Sequence, residues 1–200
     1  DDVGRTIALT ALPTGASGQH GTPQRVATEP VGLASSLCHR LRDAGNANGA
    51  HFAVRLVRSA LKLQIKASDG PLSLELEPRR LRLLAGKRQL WKAAYDAHAQ
   101  ASLPSAQSAD GVEIKLAGAE VLSVHATDGQ ERNALLLLFR EYALRFCEGK
   151  GLRWSGDTQA MLRVREALEA EERVGRHRMR QGTASSKVPF AGNLSVVRAA

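Results

Sequence analysis

Leu61 to Glu77 reads LKLQIKASDGPLSLELE, and its pattern decides the fold class. Leu61, Leu63 and Ile65 alternate with Lys62, Gln64 and Lys66, and Leu72, Leu74 and Leu76 alternate with Ser73, Glu75 and Glu77. A period of two belongs to strands with one buried face. Asp69-Gly70 lies between the two runs and tolerates the positive φ of a two-residue hairpin loop. The expected register sets Ile65 opposite Leu74 and Leu63 opposite Leu76 on one face, with Gln64 facing Glu75 and Lys62 facing Glu77 on the other.

Working outward, the spacing predicts a short helix over 34–44, with Leu37, Leu41 and Ala44 on one side, and a strand from Phe52 through Val54 and Leu56. Beyond the hairpin, Pro78 interrupts the ladder because it has no N–H to donate. A strand over 79–84 follows, with Leu81 and Leu83 against Arg80 and Arg82, and Ala85-Gly86-Lys87-Arg88 turns the chain. From Gln89, the residues Leu90, Trp91, Ala94, Tyr95 and His98 share one helical stripe, so strand then helix is preferred over one helix across 79–99. Val112, Ile114 and Leu116, then Leu122 and Val124, form a second alternating pair, expected to join Leu116 to Leu122 and Ile114 to Val124. Asp128 with Glu131 has the form of a capping box that opens a helix ending at Gly149. A further helix begins at Asp157 or Thr158 and carries Met161, Val164 and Leu168.

These elements imply an α+β fold, an antiparallel sheet of two hairpins covered by amphipathic helices. Residues 35–180 are expected to form one domain, because 200 residues with 43% apolar side chains suffice for a single core. Residues 1–34 are rich in Gly, Thr, Ala, Ser and Pro and lack periodicity, so they read as an extended tail, as do residues 181–200. Gly15, Gly18 and Gly21 have a GxxGxxG spacing, but no strand precedes it and no helical pattern follows, which argues against a dinucleotide site. The chain opens at Asp1-Asp2 without an initiator Met, as expected of a processed form or a fragment.

The composition excludes several chemistries. Cys38 and Cys147 lack metal-ligand or redox spacing and read as reduced, buried thiols. The histidines at 20, 39, 51, 98, 125 and 177 include no HExxH and no pair at ligand spacing, so no metal and no cofactor is expected. No GxSxG elbow or Walker A loop occurs, and a non-catalytic protein is expected. No run approaches the ~20 apolar residues of a membrane span.

Charge is more informative. The chain has 28 Lys and Arg against 20 Asp and Glu, a net +8. Residues 35–100 alone carry twelve basic and five acidic side chains, a net +7. Arg79, Arg80, Arg82, Lys87, Arg88 and Lys92 follow one another with no acid between Glu77 and Asp96, and Arg173, Arg176, Arg178 and Arg180 form a second acid-free run. Guanidinium groups bind phosphate oxygens bidentately, and such contacts set affinity rather than sequence choice. The aromatic residues sit on apolar stripes, leaving no stacking platform for single-stranded bases. The expected partner is therefore folded RNA, gripped through its phosphates, together with neighbouring subunits of a large assembly. A ribosome, in particular a mitochondrial one, is the most concrete version. The alternative is a protein-binding scaffold module without nucleic acid, docking through its helices, especially the glutamate-rich segment near residue 168.

Overall fold

A computed structural model describes residues 3, 5–29, 31–59, 70–104, 110–116 and 121–184, with 58–59 and 177–184 described by their backbone alone. The order is β1 (Ala8–Ala11), β2 (Gln24–Ala27), α1 (Ser35–Asn46), β3 (Ala50–Ser59), β4 (Leu72–Glu77), β5 (Arg80–Ala85), β6 (Arg88–Ala94), β7 (Gln100–Ser102), β8 (Gly111–Lys115), β9 (Val121–Ala126), α2 (Gly129–Gly149) and α3 (Thr158–Ala184). The fold is α+β, with a seven-stranded antiparallel sheet in the order β6-β5-β4-β3-β9-β8-β7 and a separate ribbon of β1 and β2.

β3 organises the sheet by changing partner half-way. Ala50–Ala53 pair with β4, Val54–Ser59 pair with β9, and the register shifts between Leu56 and Arg58. One strand thus joins the half made of β4, β5 and β6 to the half made of β9, β8 and β7. Alternation supplies the core from both halves: Phe52, Leu74, Leu76, Leu81, Leu83, Val112, Ile114, Leu122 and Val124 are all buried.

α2 packs on β4, β7, β8 and β9 on one side and on α1 and α3 on the other. Its run of Leu135, Leu136, Leu138 and Phe139 suits burial on more than one face. At its start the Asp128 carboxylate accepts from the Glu131 N–H at 2.8 Å, the forward half of the expected capping box. The Glu131 carboxylate turns instead to Arg40 of α1, 3.2 Å away. The chain leaves the helix through Gly151, whose φ of +65° lies in the left-handed region. Asp157 caps α3 by accepting from the Ala160 N–H at 2.9 Å.

Several expectations need correction. Residues 61–66 of the expected first hairpin lie outside the described residues. The β4 half is a strand with the predicted faces, but its partners differ: Leu74 lies between Phe52 and Leu83, Leu76 between Ala50 and Leu81, Glu75 between His51 and Arg82, and Glu77 opposite Arg80. Gly70 does adopt the positive φ, +73°, and lies against Gly86. The helix expected from Gln89 is strand β6. The second hairpin pairs Ile114 with Leu122 and Val112 with Val124, two residues from the expected register. A shift of two keeps every side chain on its face, so alternation alone could not choose between the registers. Within 1–34, expected as an extended tail, β1 and β2 pair as a ribbon, with Leu9 opposite Val26 and Thr10 opposite Arg25. Helix α3 continues to Ala184, past the expected start of the C-terminal tail.

Candidate functional site

The ten basic residues picked out in the sequence divide by element. Arg79 and Arg80 stand at the turn from β4 to β5, Lys87 and Arg88 at the turn from β5 to β6, and Arg82 and Lys92 face each other between β5 and β6. The six residues of β5 separate the two turns by about 20 Å at the usual strand rise. That is roughly twice the Debye length at physiological salt, so the two ends do not act as one electrostatic site.

Between them the acids of β4 intervene. The Arg82 guanidinium reaches Glu75 at 2.7 Å and also pairs with Glu77, while Arg80 Nε meets Glu77 at 2.7 Å. The hydrogen bond from Arg80, with the charges of Arg82 and Arg80, pulls the Glu77 carboxyl below its ordinary range against an opposing desolvation effect. Of this cluster Arg79, Lys87 and Lys92 are exposed and appear in none of these pairs.

The second cluster belongs to α3. Arg176 lies 3.6 Å from Glu172, and Arg173 Nε donates to the Glu169 carbonyl at 3.4 Å. The side chains of Arg178 and Arg180 lie outside the described residues. The glutamate-rich segment is partly turned inward: Glu171 accepts from Ser35 Oγ at 3.2 Å, and Glu172 lies 3.5 Å from Arg42. Arg165 fastens the same helix to α2, with Nε 3.0 Å from Glu141 and an Nη 3.2 Å from Glu148.

Two features escaped sequence reasoning. The first is the ribbon of β1 and β2, every residue of which is exposed. Ile7, Leu9 and Val26 fall on one of its faces by alternation. Leu9 and Val26 are 70% and 68% exposed. The ribbon is tied at its base, where Thr28 N–H donates to the Ile7 carbonyl at 2.9 Å and Val31 N–H to that of Arg5 at 2.9 Å.

The second is a groove of about 550 Å³ where α1, α2 and α3 meet the end of β7. Its walls include Leu33, Leu37, Leu103, Leu136, Met161 and Val164, with Arg132, Asn133 and Arg140 on the α2 side. Arg140 Nε donates to the Ala101 carbonyl at 3.0 Å, which holds the guanidinium against β7. Burial lowers its pKa, with Asp157 acting in the opposite sense. Arg132 Nε donates to Asn133 Oδ1 at 3.1 Å. Only the separate Leu, Met and Arg positions are visible in the sequence; their convergence needs the helix packing.

The outer margin of β7 is capped. The carbonyls of Ala97, Ala99 and Ala101 accept from Ser155 N–H, Trp154 Nε1 and Arg140 Nε at 2.8, 2.7 and 3.0 Å. The Asp96 carboxylate accepts from the His98 backbone N–H at 2.6 Å, and the His98 side chain is exposed. No group of three or more His, Cys, Asp or Glu able to hold a metal occurs among the described residues. No helix among them is long and apolar enough to cross a membrane.

No family model matches the chain, and no curated protein matches it. Solved structures with partial likeness include the PH domain of human oxysterol binding protein-related protein 11, 16% identical, covering 55% of this chain and 92% of that one with a TM-score of 0.40. The linker-DH/PH domains of p115-RhoGEF are 14% identical, covering 46% of this chain and 30% of that one with a TM-score of 0.32. A DH/PH fragment of PDZRhoGEF crystallised with human RhoA gives 14% identity, 46% and 29% coverage, and a TM-score of 0.32.

Proposed function

We propose that this chain is a non-catalytic protein-binding scaffold module in a multi-subunit assembly, docking a neighbouring polypeptide without nucleic acid. The observation that carries the reading is the ribbon of β1 and β2, which exposes Ile7, Leu9 and Val26 on one face. A two-stranded ribbon is marginal in water on its own. An apolar face on such an element is a place for a partner surface to add burial, at roughly 25 cal/mol per Å² of apolar area.

Contact with folded RNA, in an organellar ribosome as its most concrete form, is the second reading, favoured by the exposed Arg79, Lys87 and Lys92. It ranks below the first because Arg80, Arg82 and Arg176 already meet carboxylates of this chain.

The test is sedimentation of native extract from the source cells, comparing the wild type with the double variant L9K/V26K. The wild type should run in a complex well above its own 21.5 kDa and be unmoved by nuclease, while the variant, folded as judged by circular dichroism, runs alone. A complex that collapses on nuclease treatment, or one that the double variant still enters, overturns the reading.

A further inference from the structure

β6 ends the sheet: among the described residues no strand lies beyond it. The free side of an outermost strand keeps a row of backbone N–H and C=O groups without ladder partners. For the seven residues of β6 that row is about 23 Å long at the usual rise. Cations are spread along the same length. Lys87 stands at the turn where β6 begins, Lys92 lies opposite Arg82 near its middle, and Arg79 adjoins Arg80, whose partner is Ala94 at the far end. All three are exposed. Leu81 and Leu83 are buried, so Arg82 and Lys92 fall on the face turned away from the core, and half-buried Trp91 and Ala93 on the core side. The nearby carboxylates are engaged. Glu75 and Glu77 sit on β4, two strands or about 10 Å inward, and meet Arg82 and Arg80. Asp96, past the end of β6, accepts from the His98 N–H.

We infer that β6 takes up an extended acidic segment of a partner polypeptide as an added strand, with an acid opposite Lys92 and apolar residues beside Trp91 and Ala93. The ribbon of β1 and β2 is a different surface, and the inference stands whether or not the ribbon docks anything. Backbone pairing supplies affinity in such strand addition, and alternate side chains supply the choice of partner. Period two places the acids of a segment that alternates acidic and apolar residues on the face of Lys92, and its apolar residues on the other. Lys87 and Arg79 are too far apart to hold one compact anion, but a strand running the length of β6 passes both. A polypeptide also answers both kinds of backbone group, whereas nucleic-acid phosphates only accept hydrogen bonds and leave the free C=O groups unanswered. A second copy of the chain can align there in geometry, but it brings the same cations to the same border. Lysine on an outer strand opposes that self-pairing, and the same charge attracts an acidic strand.

The experiment is fluorescence polarisation of a dye-labelled nonapeptide that alternates Glu with Val, titrated with the full chain. Saturable binding is expected, while the same peptide with Lys in place of Glu does not bind. K92E should weaken the Glu peptide by about tenfold or more, because it sets like charges opposite each other. K87E should weaken it less, as a change at the rim of the contact. Both lysines are exposed, and circular dichroism checks that the variants fold. Backbone pairing is read with two further peptides, N-methylated at the Glu positions or at the Val positions. In an added strand only alternate N–H groups point at β6, so one pattern should abolish binding and the other retain it. Four results would each overturn the inference: no binding of the Glu peptide, equal binding of both N-methylated peptides, full affinity in K92E, or displacement of the peptide by an RNA hairpin of equal charge. A wild-type chain that sediments as a dimer and excludes the peptide would also overturn it, in favour of a second copy.

Discussion

Gly156 leaves no room for a side chain: a Cβ there would lie 2.3 Å from Cζ2 of Trp154. The indole cannot yield, because its Nε1 donates to the Ala99 carbonyl at 2.7 Å in a buried setting. G156A should therefore destabilise the protein by about 1–3 kcal/mol, the usual cost of overpacking, measured as a lower urea midpoint with unchanged m. Glu77 gives a residue-scale dependence on pH. Its folded pKa is depressed, chiefly by the hydrogen bond from Arg80. Its stabilisation is therefore complete above the ordinary glutamate value of about 4.3 and is lost as pH falls through the depressed value. E77Q should cost about 0.5–1 kcal/mol at neutral pH, and its deficit against wild type should shrink below about pH 4, as read from urea unfolding along a pH series. Neither site was legible in the sequence, where Gly156 is one loop glycine among 18 and Glu77 only bounds a basic run. What decides both is a neighbour brought by the fold.

Elements were read with uneven success, and the reasons are physical. The strand Leu72–Glu77 and the helices that became α1, α2 and α3 were legible because each keeps its own period over about two turns or more of helix, or about six residues of strand. The partner of β4 was not, because alternation fixes which face is buried and leaves open which strand lies alongside. β6 failed for a different cause. A register irregularity between Leu83 and Leu84 brings Leu90 and Trp91 into adjacent half-buried positions, which breaks period two and leaves a spacing that fits a helix. Tyr95, counted on that helical stripe, is instead a buried residue just beyond the strand, with its ring centroid 5.4 Å from that of Phe139. For α2, removing the N-cap oxygen in D128A should cost about 1 kcal/mol, seen as a lower thermal midpoint. For α3, R165M should speed hydrogen exchange in residues beyond 165 more than in α2, since Arg165 carries the bonds to Glu141 and Glu148.

At the scale of the molecule, the layers of sheet and helices enclose both thiols. Cys38 on α1 and Cys147 on α2 are buried. Desolvation raises the pKa of each, with Glu171 adding to the shift of Cys38 and Asp96 to that of Cys147. Thiol reagents should label them in the native protein at least about a thousandfold more slowly than in urea, at a rate set by opening of the fold. Fast labelling of Cys38 alone would show that α1 lifts independently of α2. The capped margin of β7 bears on how copies of this chain could meet. Among the described residues the other end of the sheet, β6, has no strand beyond it. Within this seven-stranded sheet one border is open and the other closed among the described residues, so two folded copies can meet there through β6 while a third finds no free border of the same sheet.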